Sequence, residues 1–477
     1  MRKHFYLLVI LVLGLVLRLV NLDQSLWLDE ATSIKAAGFS YSEILTRFSP
    51  GDFHPPFYYL LLKFWISFFG ESEIAARMLS VLFGVATLPF VFDIGRRMFD
   101  RRVGLFGALL LATSGLHIYY SQEARMYVPA TFFATLVVWL FVRILQEKKA
   151  KVADWIGLTV SSALLAYTDY LPFFLLVGLG FYLLIWERKH FFSNFEKWIF
   201  VGGAFGLLFI PWLPVFGQQF NLGMGVKSSV PGWWQVLGAS SFKEIALVPI
   251  KFIIGRISIE DTTKYVLALV LPGFLFGWQL VNAVRDFRDI KGVRVILMWM
   301  GLPIFFVAVV GFWLNVFSYF RLLFALPAFY LLTSFGVFNI RGKQLKIMLV
   351  ISLCFINLLT TSVYLFNVRF HREDWRSAVS YVRGEESSSV AVFVANSITD
   401  PYKYYAKSVP PYGPFGPRFF DDNRPVLDKP IEKVWLFRYA QPIFDPWDNL
   451  RRKIEGLDYT KMDEKDFNGV VIWEYSR

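Results

Sequence analysis

The sequence has a single cysteine among its 477 residues, and Cys354 lies inside an apolar block. A disulfide within the chain is therefore impossible, and cysteine usage says nothing about the compartment. Charged residues are also scarce, at 18% against 56% hydrophobic residues, and the mean hydropathy is +0.47. Repeats and low-complexity tracts are absent. This composition excludes an ordinary soluble globular protein.

Long apolar blocks fill the first 366 residues instead. A hydrocarbon core about 30 Å thick needs about 20 helical residues, and runs such as 347–366 reach that length. The first block follows Arg2 and Lys3 without a small-residue cleavage site, which favours a retained span over a signal peptide. Twelve candidate segments lie near 5–20, 55–70, 76–95, 103–116, 127–145, 154–169, 171–186, 198–216, 262–282, 293–312, 321–338 and 346–366.

Basic residues cluster in the short turns between these blocks. The formal charge of +12 is therefore typical of cytoplasmic turns in a membrane protein, and we expect no nucleic-acid partner. If the N-terminus and all of the basic turns are cytoplasmic, an even number of crossings, or none, lies between the first span and the span at 76–95. The segment at 55–70 is then an outer juxtamembrane or re-entrant helix. The alternative is that 55–70 crosses the membrane and another segment does not.

The predicted fold class is a polytopic α-helical membrane protein with about 11 spans, in a range of 11–13. Outer loops fall at 21–75, 117–126, 168–170, 217–261 and 313–320. Polar helix-like stretches alternate with short apolar runs in residues 367–477, which predicts a small C-terminal α/β domain outside the cytoplasm. The chain thus divides into a transmembrane domain at 1–366 and this extracytoplasmic domain.

The first outer loop carries adjacent carboxylates, Asp29 and Glu30, close to the membrane surface. Carboxylates are costly to desolvate there unless they are paired or used. One of them could act as a general base that takes a proton from an attacking hydroxyl. The same pair also fits a helix N-terminus, where acidic residues favour the first turn.

Two further outer segments combine polar and aromatic residues. Asp52 and His54 precede the helix that Pro55 and Pro56 introduce, and His54 could orient a phosphate, bind a metal or cap the helix. The stretch 119–127 places Gln122, Glu123 and Arg125 among tyrosines, which suits a pocket for a sugar and a phosphate but also an interfacial aromatic belt.

Three arginines lie at the outer ends of apolar blocks. Arg77 and Arg321 share the predicted side of Asp29 and could neutralise a lipid phosphate, whereas we expect the side chain of Arg18 to snorkel towards the membrane surface.

These motifs resemble the bacterial and archaeal membrane glycosyltransferases related to protein O-mannosyltransferases and to the lipid A aminoarabinose transferase, which have the GT-C fold. The resemblance is carried by LDE at 28–30, HPPFYYLLL at 54–62, Arg77 with Ser80, and YSQEARMY at 120–127. Weaker likeness follows at 319–327 and 373–376. The match covers mainly the first 170 residues.

The resemblance implies transfer of a sugar from a polyprenyl-phosphate donor to a lipid, glycan or protein acceptor on the outer face, with inversion. It implies Asp29 as the catalytic base and Glu30 as its support. Candidate donor-binding residues are His54, Tyr58, Arg77, Tyr120, Gln122, Glu123, Arg125 and Arg321.

Two departures concern a possible divalent cation. Relatives often carry a histidine in the short loop where this chain has 167–170, so a metal inferred from that histidine is not supported here, although Asp169 could substitute as an oxygen ligand. Phe53 stands where the lipid A enzyme has a carboxylate, and Asp52 is the nearest substitute. Asp52, His54 and Asp169 are therefore the candidate metal ligands.

A lipid or solute transporter or flippase is the main alternative function, because several spans with intramembrane charges are also its signature. A transporter would place polar residues near the midplane of two repeated halves, and the sequence shows no such repeat. A sensor or scaffold is a third possibility, and it would not need Asp29. The sequence does not specify the sugar or the acceptor.

Overall fold

The computed structural model is described for most of the chain. The described residues are 2–147, 150–230, 232, 241–285, 287–288, 290–314, 316–382, 388–406, 411–412 and 431–477. Every one of the twelve predicted apolar segments overlaps a helix within these ranges. The basic turn at Lys148 and Lys149 lies outside the described residues.

Helices form nearly all of the structure up to Phe366. In the first third of the chain they are α1 (Arg2–Leu19), α2 (Leu28–Gly38), α3 (Tyr41–Glu43), α4 (Phe57–Phe69), α5 (Glu73–Met98), α6 (Arg101–Ala112), α7 (Gly115–Ser121) and α8 (Tyr127–Gln146). A π-helical turn at Ile44–Phe48 and a 3-10 turn at Ser49–Gly51 connect α3 to the segment before α4.

The remaining helices up to Phe366 are α9 (Val152–Thr168), α10 (Phe173–Trp186), α11 (Arg188–Ser193), α12 (Phe195–Phe209), α13 (Leu213–Ser229), α14 (Phe242–Ile254), α15 (Thr262–Val284), α16 (Lys291–Val310), α17 (Leu326–Asn339) and α18 (Lys343–Phe366). Short 3-10 turns at Ile210–Trp212 and Leu323–Ala325 precede α13 and α17.

The chain is a multi-pass membrane protein by the length and composition of its helices. Among the described residues, six helical segments are long and apolar enough to cross a membrane, and the pair α6 and α7 becomes a seventh if it forms one broken span. Five shorter apolar helices accompany them. Eleven crossings remain a prediction. The 13-residue helix α4 agrees with the expectation of a helix too short to cross alone.

Close packing of small residues holds the first spans together. A Cβ on Gly104 would lie 2.3 Å from the carbonyl oxygen of Phe92, and one on Gly95 would lie 2.6 Å from the Cα of Gly104. Helices α5 and α6 therefore approach at a distance that only glycine permits, as small residues allow in membrane helix pairs.

The expectation that Arg18 snorkels to the surface is wrong. Its fully buried guanidinium donates to the carbonyl of Ala112 at 3.1 Å and to Ser121 Oγ at 3.0 Å, and it lies 2.6 Å from His117 Nδ1. These contacts lie at the 58° bend between α6 and α7. Arg18 stays inside because the bend exposes carbonyl groups that need donors.

The segment after α18 contains a mixed α/β structure. Its helices are α19 (Trp375–Tyr381), α20 (Asp400–Tyr405), α21 (Gln441–Phe444) and α22 (Asn449–Glu455), and its strands are β1 (Ser389–Phe393), β2 (Pro411–Tyr412), β3 (Lys433–Phe437), β4 (Thr460–Phe467) and β5 (Val470–Ser476). Within the described residues the strand order is β2-β1-β3-β5-β4. Strands β1, β2 and β3 are parallel, whereas β5 pairs antiparallel with β3 and with β4.

The three apolar runs predicted as strands are β1, β3 and β5, and their buried residues form a core with Trp375. Sequence reasoning missed β4 because nearly all of this charged edge strand is exposed. The predicted outer loop at 217–261 also contains helical structure, since α13 continues to Ser229 and α14 spans Phe242–Ile254.

Candidate active site

The two adjacent acids of the first loop point to different environments. Both lie in the first turn of α2, as the helix-terminus interpretation expects. Glu30 is fully buried, whereas the Asp29 side chain is 36% exposed. Successive helical residues face directions about 100° apart, so one acid points inward and its neighbour points out. Only Asp29 can meet a substrate from outside.

Glu30 forms a bidentate ion pair with Arg77. Glu30 Oε1 and Oε2 accept from Arg77 Nε at 2.8 Å and from Nη2 at 2.6 Å, and Oε1 also accepts from the Ala124 amide at 2.9 Å. Burial would raise the pKa of Glu30, but the positive charges of Arg77 and Arg372 outweigh it and lower the pKa below the ordinary value. Glu30 is therefore an ionised structural group.

Arg77 has no donor left for a ligand phosphate. Besides Glu30, its guanidinium donates to the carbonyl oxygens of Leu22, Gln24 and Ser25, and its side chain is 1% exposed. Arg77 thereby fixes the chain between α1 and α2. The donor-phosphate role expected for it does not fit this geometry, because all five N–H groups are used within the protein.

A second buried ion pair links the first part of the chain to the segment after α18. Arg372 Nη1 donates to Glu123 Oε2 at 3.1 Å and to the Tyr119 hydroxyl at 3.1 Å, and Nε lies 3.9 Å from Glu30 Oε2. Burial raises the pKa of Glu123 to about 7 although Arg372 opposes the shift. The other carboxylate oxygen of Glu123 is buried, and no donor in the described part of the chain hydrogen-bonds to it.

Arg125 is the cation beside Asp29. Its Nη2 lies 3.4 Å from Asp29 Oδ2 and 3.4 Å from His54 Nδ1, and its Nη1 lies 3.2 Å from the Tyr59 hydroxyl. These contacts are long, and the buried Nε has no hydrogen-bond partner among the described residues. Arg125 therefore keeps hydrogen-bonding capacity that a phosphate could use. The Tyr59 hydroxyl donates to Asp52 Oδ2 at 2.5 Å.

An apolar cavity of about 660 Å³ begins at His54 and runs between α9, α10, α12, α13 and the end of α16. Its walls are mostly phenylalanine, leucine and valine side chains, and its polar lining groups are His54, Asp169, Tyr170, Gln219 and Arg321. Gln219 fixes this end because its amide donates to the carbonyls of Ser49 and His54. His54 thus connects the cavity to Arg125 and Asp29.

The other tyrosine and amide candidates line or support the same region. Tyr120 packs against Phe320 and Tyr127 at centroid distances of 6.0 and 5.3 Å. Tyr58 is buried. Gln122 faces inward, since its amide donates to the carbonyls of Arg18 and Val20. The stretch 119–127 is also shorter as a loop than expected, because α7 extends to Ser121.

The candidate metal ligands do not converge on one point. Asp52 Oδ2 and His54 Nδ1 are 3.6 Å apart, but that same Asp52 oxygen accepts from Tyr59. Asp169 Oδ1 accepts from the Leu171 amide, and burial raises the Asp169 pKa. No group of three or more metal-ligating side chains occurs in the described part of the chain. Asp52, His54 and Asp169 therefore do not fit a shared metal site.

Sequence reasoning did not identify several residues that complete the site. Arg372 and Glu373 follow α18, Arg256 follows α14, and Asp400 begins α20. Glu373 is the first residue of the weak motif at 373–376 and Arg372 directly precedes it, so the motif was a usable signal. Arg256 and Asp400 stand in no recognisable pattern.

The described residues have a fold similar to that of solved GT-C glycosyltransferases. ArnT from Cupriavidus metallidurans matches 99% of this chain and 98% of its own, with a TM-score of 0.59 and 13% identity. The archaeal oligosaccharyltransferase AglB from Archaeoglobus fulgidus matches 99% of this chain and 74% of its own, with a TM-score of 0.57 and 12% identity. At such identities the likeness concerns the fold.

Residues 53–214 match the model of the dolichyl-phosphate-mannose-protein mannosyltransferase family. This range contains the HPPFYY and YSQEARMY motifs, so the resemblance stated from the sequence is confirmed. Two uncharacterized proteins of Aquifex aeolicus (strain VF5) are 28% identical over 167 residues and 30% identical over 185 residues. The alignments cover 34% and 36% of this chain but only 32% and 41% of those relatives.

Proposed function

We propose that this protein transfers a sugar from a polyprenyl-phosphate carrier to an acceptor hydroxyl at the extracytoplasmic face of the cell membrane. The observation that carries the proposal is the position of Asp29, a partly exposed carboxylate beside Arg125. Arg125 also contacts His54, which lines the apolar cavity of about 660 Å³. A proton acceptor, a cation and an apolar cavity are therefore neighbours.

The cavity supports a lipid-linked donor. ArnT has been solved with undecaprenyl phosphate and AglB with a dolichol-phosphate, and both share this fold. Apolar walls suit a polyprenyl chain, while Arg125, His54 and Arg321 lie at or near its polar end. Tyr120 and Tyr127 would offer aromatic faces to the sugar.

The proposed reaction is a single displacement at the anomeric carbon. The acceptor hydroxyl gives its proton to Asp29 while the hydroxyl oxygen forms a bond to the anomeric carbon. At the same time the bond from that carbon to the phosphate oxygen of the donor breaks. The polyprenyl phosphate leaves with the bonding electrons, and Arg125 stabilises the negative charge that develops on it. One displacement inverts the anomeric configuration. Glu30 and Arg77 would position Asp29 without contacting the substrate.

Replacing Asp29 by Asn tests the assignment. The purified full-length protein would be reconstituted in nanodiscs and supplied with radiolabelled hexoses and pentoses carried on undecaprenyl phosphate, together with a membrane extract as the source of acceptors. We expect a loss of transfer of about 10²- to 10⁴-fold, the usual contribution of a general base. Asp23→Asn, an exposed acid in the same loop, is the matched control. Undiminished transfer by Asp29→Asn would refute the proposal.

A further inference from the structure

Two arginines from distant parts of the chain meet at Tyr119. Arg256 Nη1 and Arg372 Nη1 donate to the Tyr119 hydroxyl at 2.7 and 3.1 Å, and both guanidiniums lie over its ring. Arg372 is buried, whereas Arg256 is exposed. Buried Lys251 fixes the turn that carries Arg256, since its Nζ donates to the carbonyl of Ile257 at 2.7 Å. Arg256 therefore presents a fixed cation to the outside.

Glu373 lies beside this pair and is held from both sides. Arg372 is fixed by its buried contacts, and the amide of Asp374 donates to the carbonyl of Phe467 at 3.1 Å. The half-buried carboxylate of Glu373 accepts from the Tyr439 hydroxyl at 3.4 Å, and the Tyr439 ring packs on Trp375. The C-terminal segment thus supplies a fixed carboxylate.

The same contacts join the chain segment of Glu373 to that of Asp29. Arg372 Nε lies 3.9 Å from Glu30 Oε2, and Glu373 and Asp29 are the chain neighbours of that contacting pair. The electrostatics agree, because burial and the negative charge of Asp29 raise the pKa of Glu373 while the charges of Arg256 and Arg372 oppose the shift. On its other side Asp29 contacts Arg125, and Arg125 in turn contacts His54, which lines the cavity.

We propose that Arg256, Glu373 and Tyr439 bind the acceptor, and that the acceptor is a neutral, hydroxyl-rich sugar. A guanidinium only donates and a carboxylate only accepts hydrogen bonds, whereas a sugar hydroxyl does both and can bridge them. Asp29 and Glu373 would repel a phosphorylated acceptor, and Arg256 would repel a cationic one. The Tyr119 and Tyr439 rings offer apolar surface to a sugar face. This inference rests on the proposed function.

The test uses the nanodisc protein and radiolabelled donors with mannobiose, chitobiose or a Ser/Thr-containing peptide as acceptor probes. We expect transfer to a disaccharide, and at least a tenfold higher acceptor KM in Glu373→Gln and Tyr439→Phe. In both variants the slow hydrolysis of the donor by water and the donor KM should stay unchanged. A general loss of structure would change both. Glu464→Gln, on the exposed strand β4, is the matched control.

Three outcomes would overturn the inference while leaving the proposed function intact. The first is transfer to the peptide but to neither disaccharide. The second is an unchanged acceptor KM in Glu373→Gln, and the third is a fall in donor hydrolysis as large as the fall in transfer. A wild-type protein that consumes none of the donors would instead overturn the proposed function, and the inference with it.

Discussion

Replacing a carboxylate by an amide should have opposite effects at the adjacent residues Asp29 and Glu30. We expect Glu30→Gln to lower mainly the stability and Asp29→Asn to lower mainly the activity. Glu30→Gln removes a fully buried charge that pairs with Arg77 at 2.6 Å and lies 3.9 Å from Arg372. Two buried guanidiniums would then lose their shared counter-charge. Removing one partner of a buried pair costs about 3–5 kcal/mol, because the other charge stays uncompensated.

Asp29→Asn has a much smaller structural cost. Asp29 is 36% exposed, and its contact with Arg125 is 3.4 Å long. Such a partly solvated pair contributes about 0.2–1 kcal/mol. The free energy of unfolding should therefore fall several-fold more in Glu30→Gln than in Asp29→Asn, while the chemical step suffers most in Asp29→Asn.

The assay makes two measurements on each variant. Tryptophan fluorescence in one detergent monitors thermal unfolding, and sugar transfer is measured for the fraction of protein that stays folded. We expect Glu30→Gln to unfold at a clearly lower temperature and to retain measurable transfer per folded molecule. Asp29→Asn should unfold close to the wild type and be inactive. Equal melting temperatures for the two variants would refute the reasoning from burial, and a stable, active Asp29→Asn would refute the assignment of the base.

Three further changes test other parts of the structure. The pKa of Glu123 is raised to about 7, so its contribution to stability is largest below about pH 4.5 and is lost as the pH rises through 7. The melting temperature of Glu123→Gln should therefore exceed that of the wild type by an amount that grows from pH 5 to pH 8, which corresponds to up to about 3 kcal/mol in the free energy of unfolding. A pH-independent difference would contradict this. Ala166→Trp fills the cavity and should weaken undecaprenyl phosphate binding at least tenfold in a fluorescence titration, whereas Val160→Trp, on the exposed face of α9, should not. Asp400→Asn loses contacts with Thr32 and Lys35, and should speed proteolysis within α2 while changing the free energy of unfolding by only about 1 kcal/mol; unchanged proteolysis would show that these contacts do not hold α2.

Hydropathy predicted the positions of the helices well, because an apolar run of about 20 residues has few alternatives to a helix in a membrane. It did not predict where they break. The bend between α6 and α7 falls inside one apolar segment, and it depends on Arg18, which is distant in sequence. Pairwise contacts of this kind leave no periodicity to detect.

The motifs located the site, but they did not separate binding residues from supporting ones. Arg77 and Gln122 face the interior, whereas Arg125 retains unpaired capacity, and nothing in the local sequence distinguishes these cases. Arg256 was missed because a lone arginine in a loop carries no pattern. Its significance comes from Tyr119, which lies 137 residues earlier.

The C-terminal segment holds the first loop at several separate points. The Arg376 amide donates to Ser25 Oγ at 3.0 Å, the Tyr405 hydroxyl accepts from the Leu26 amide at 2.9 Å, and Asp400 accepts from Lys35 at 2.8 Å. During synthesis the ribosome makes these partners at least 351 residues after the parts of the loop that they contact. The surroundings of Asp29 are therefore completed only after the segment at 375–405 has been made and has folded. The order of biosynthesis itself delays the assembly of the site.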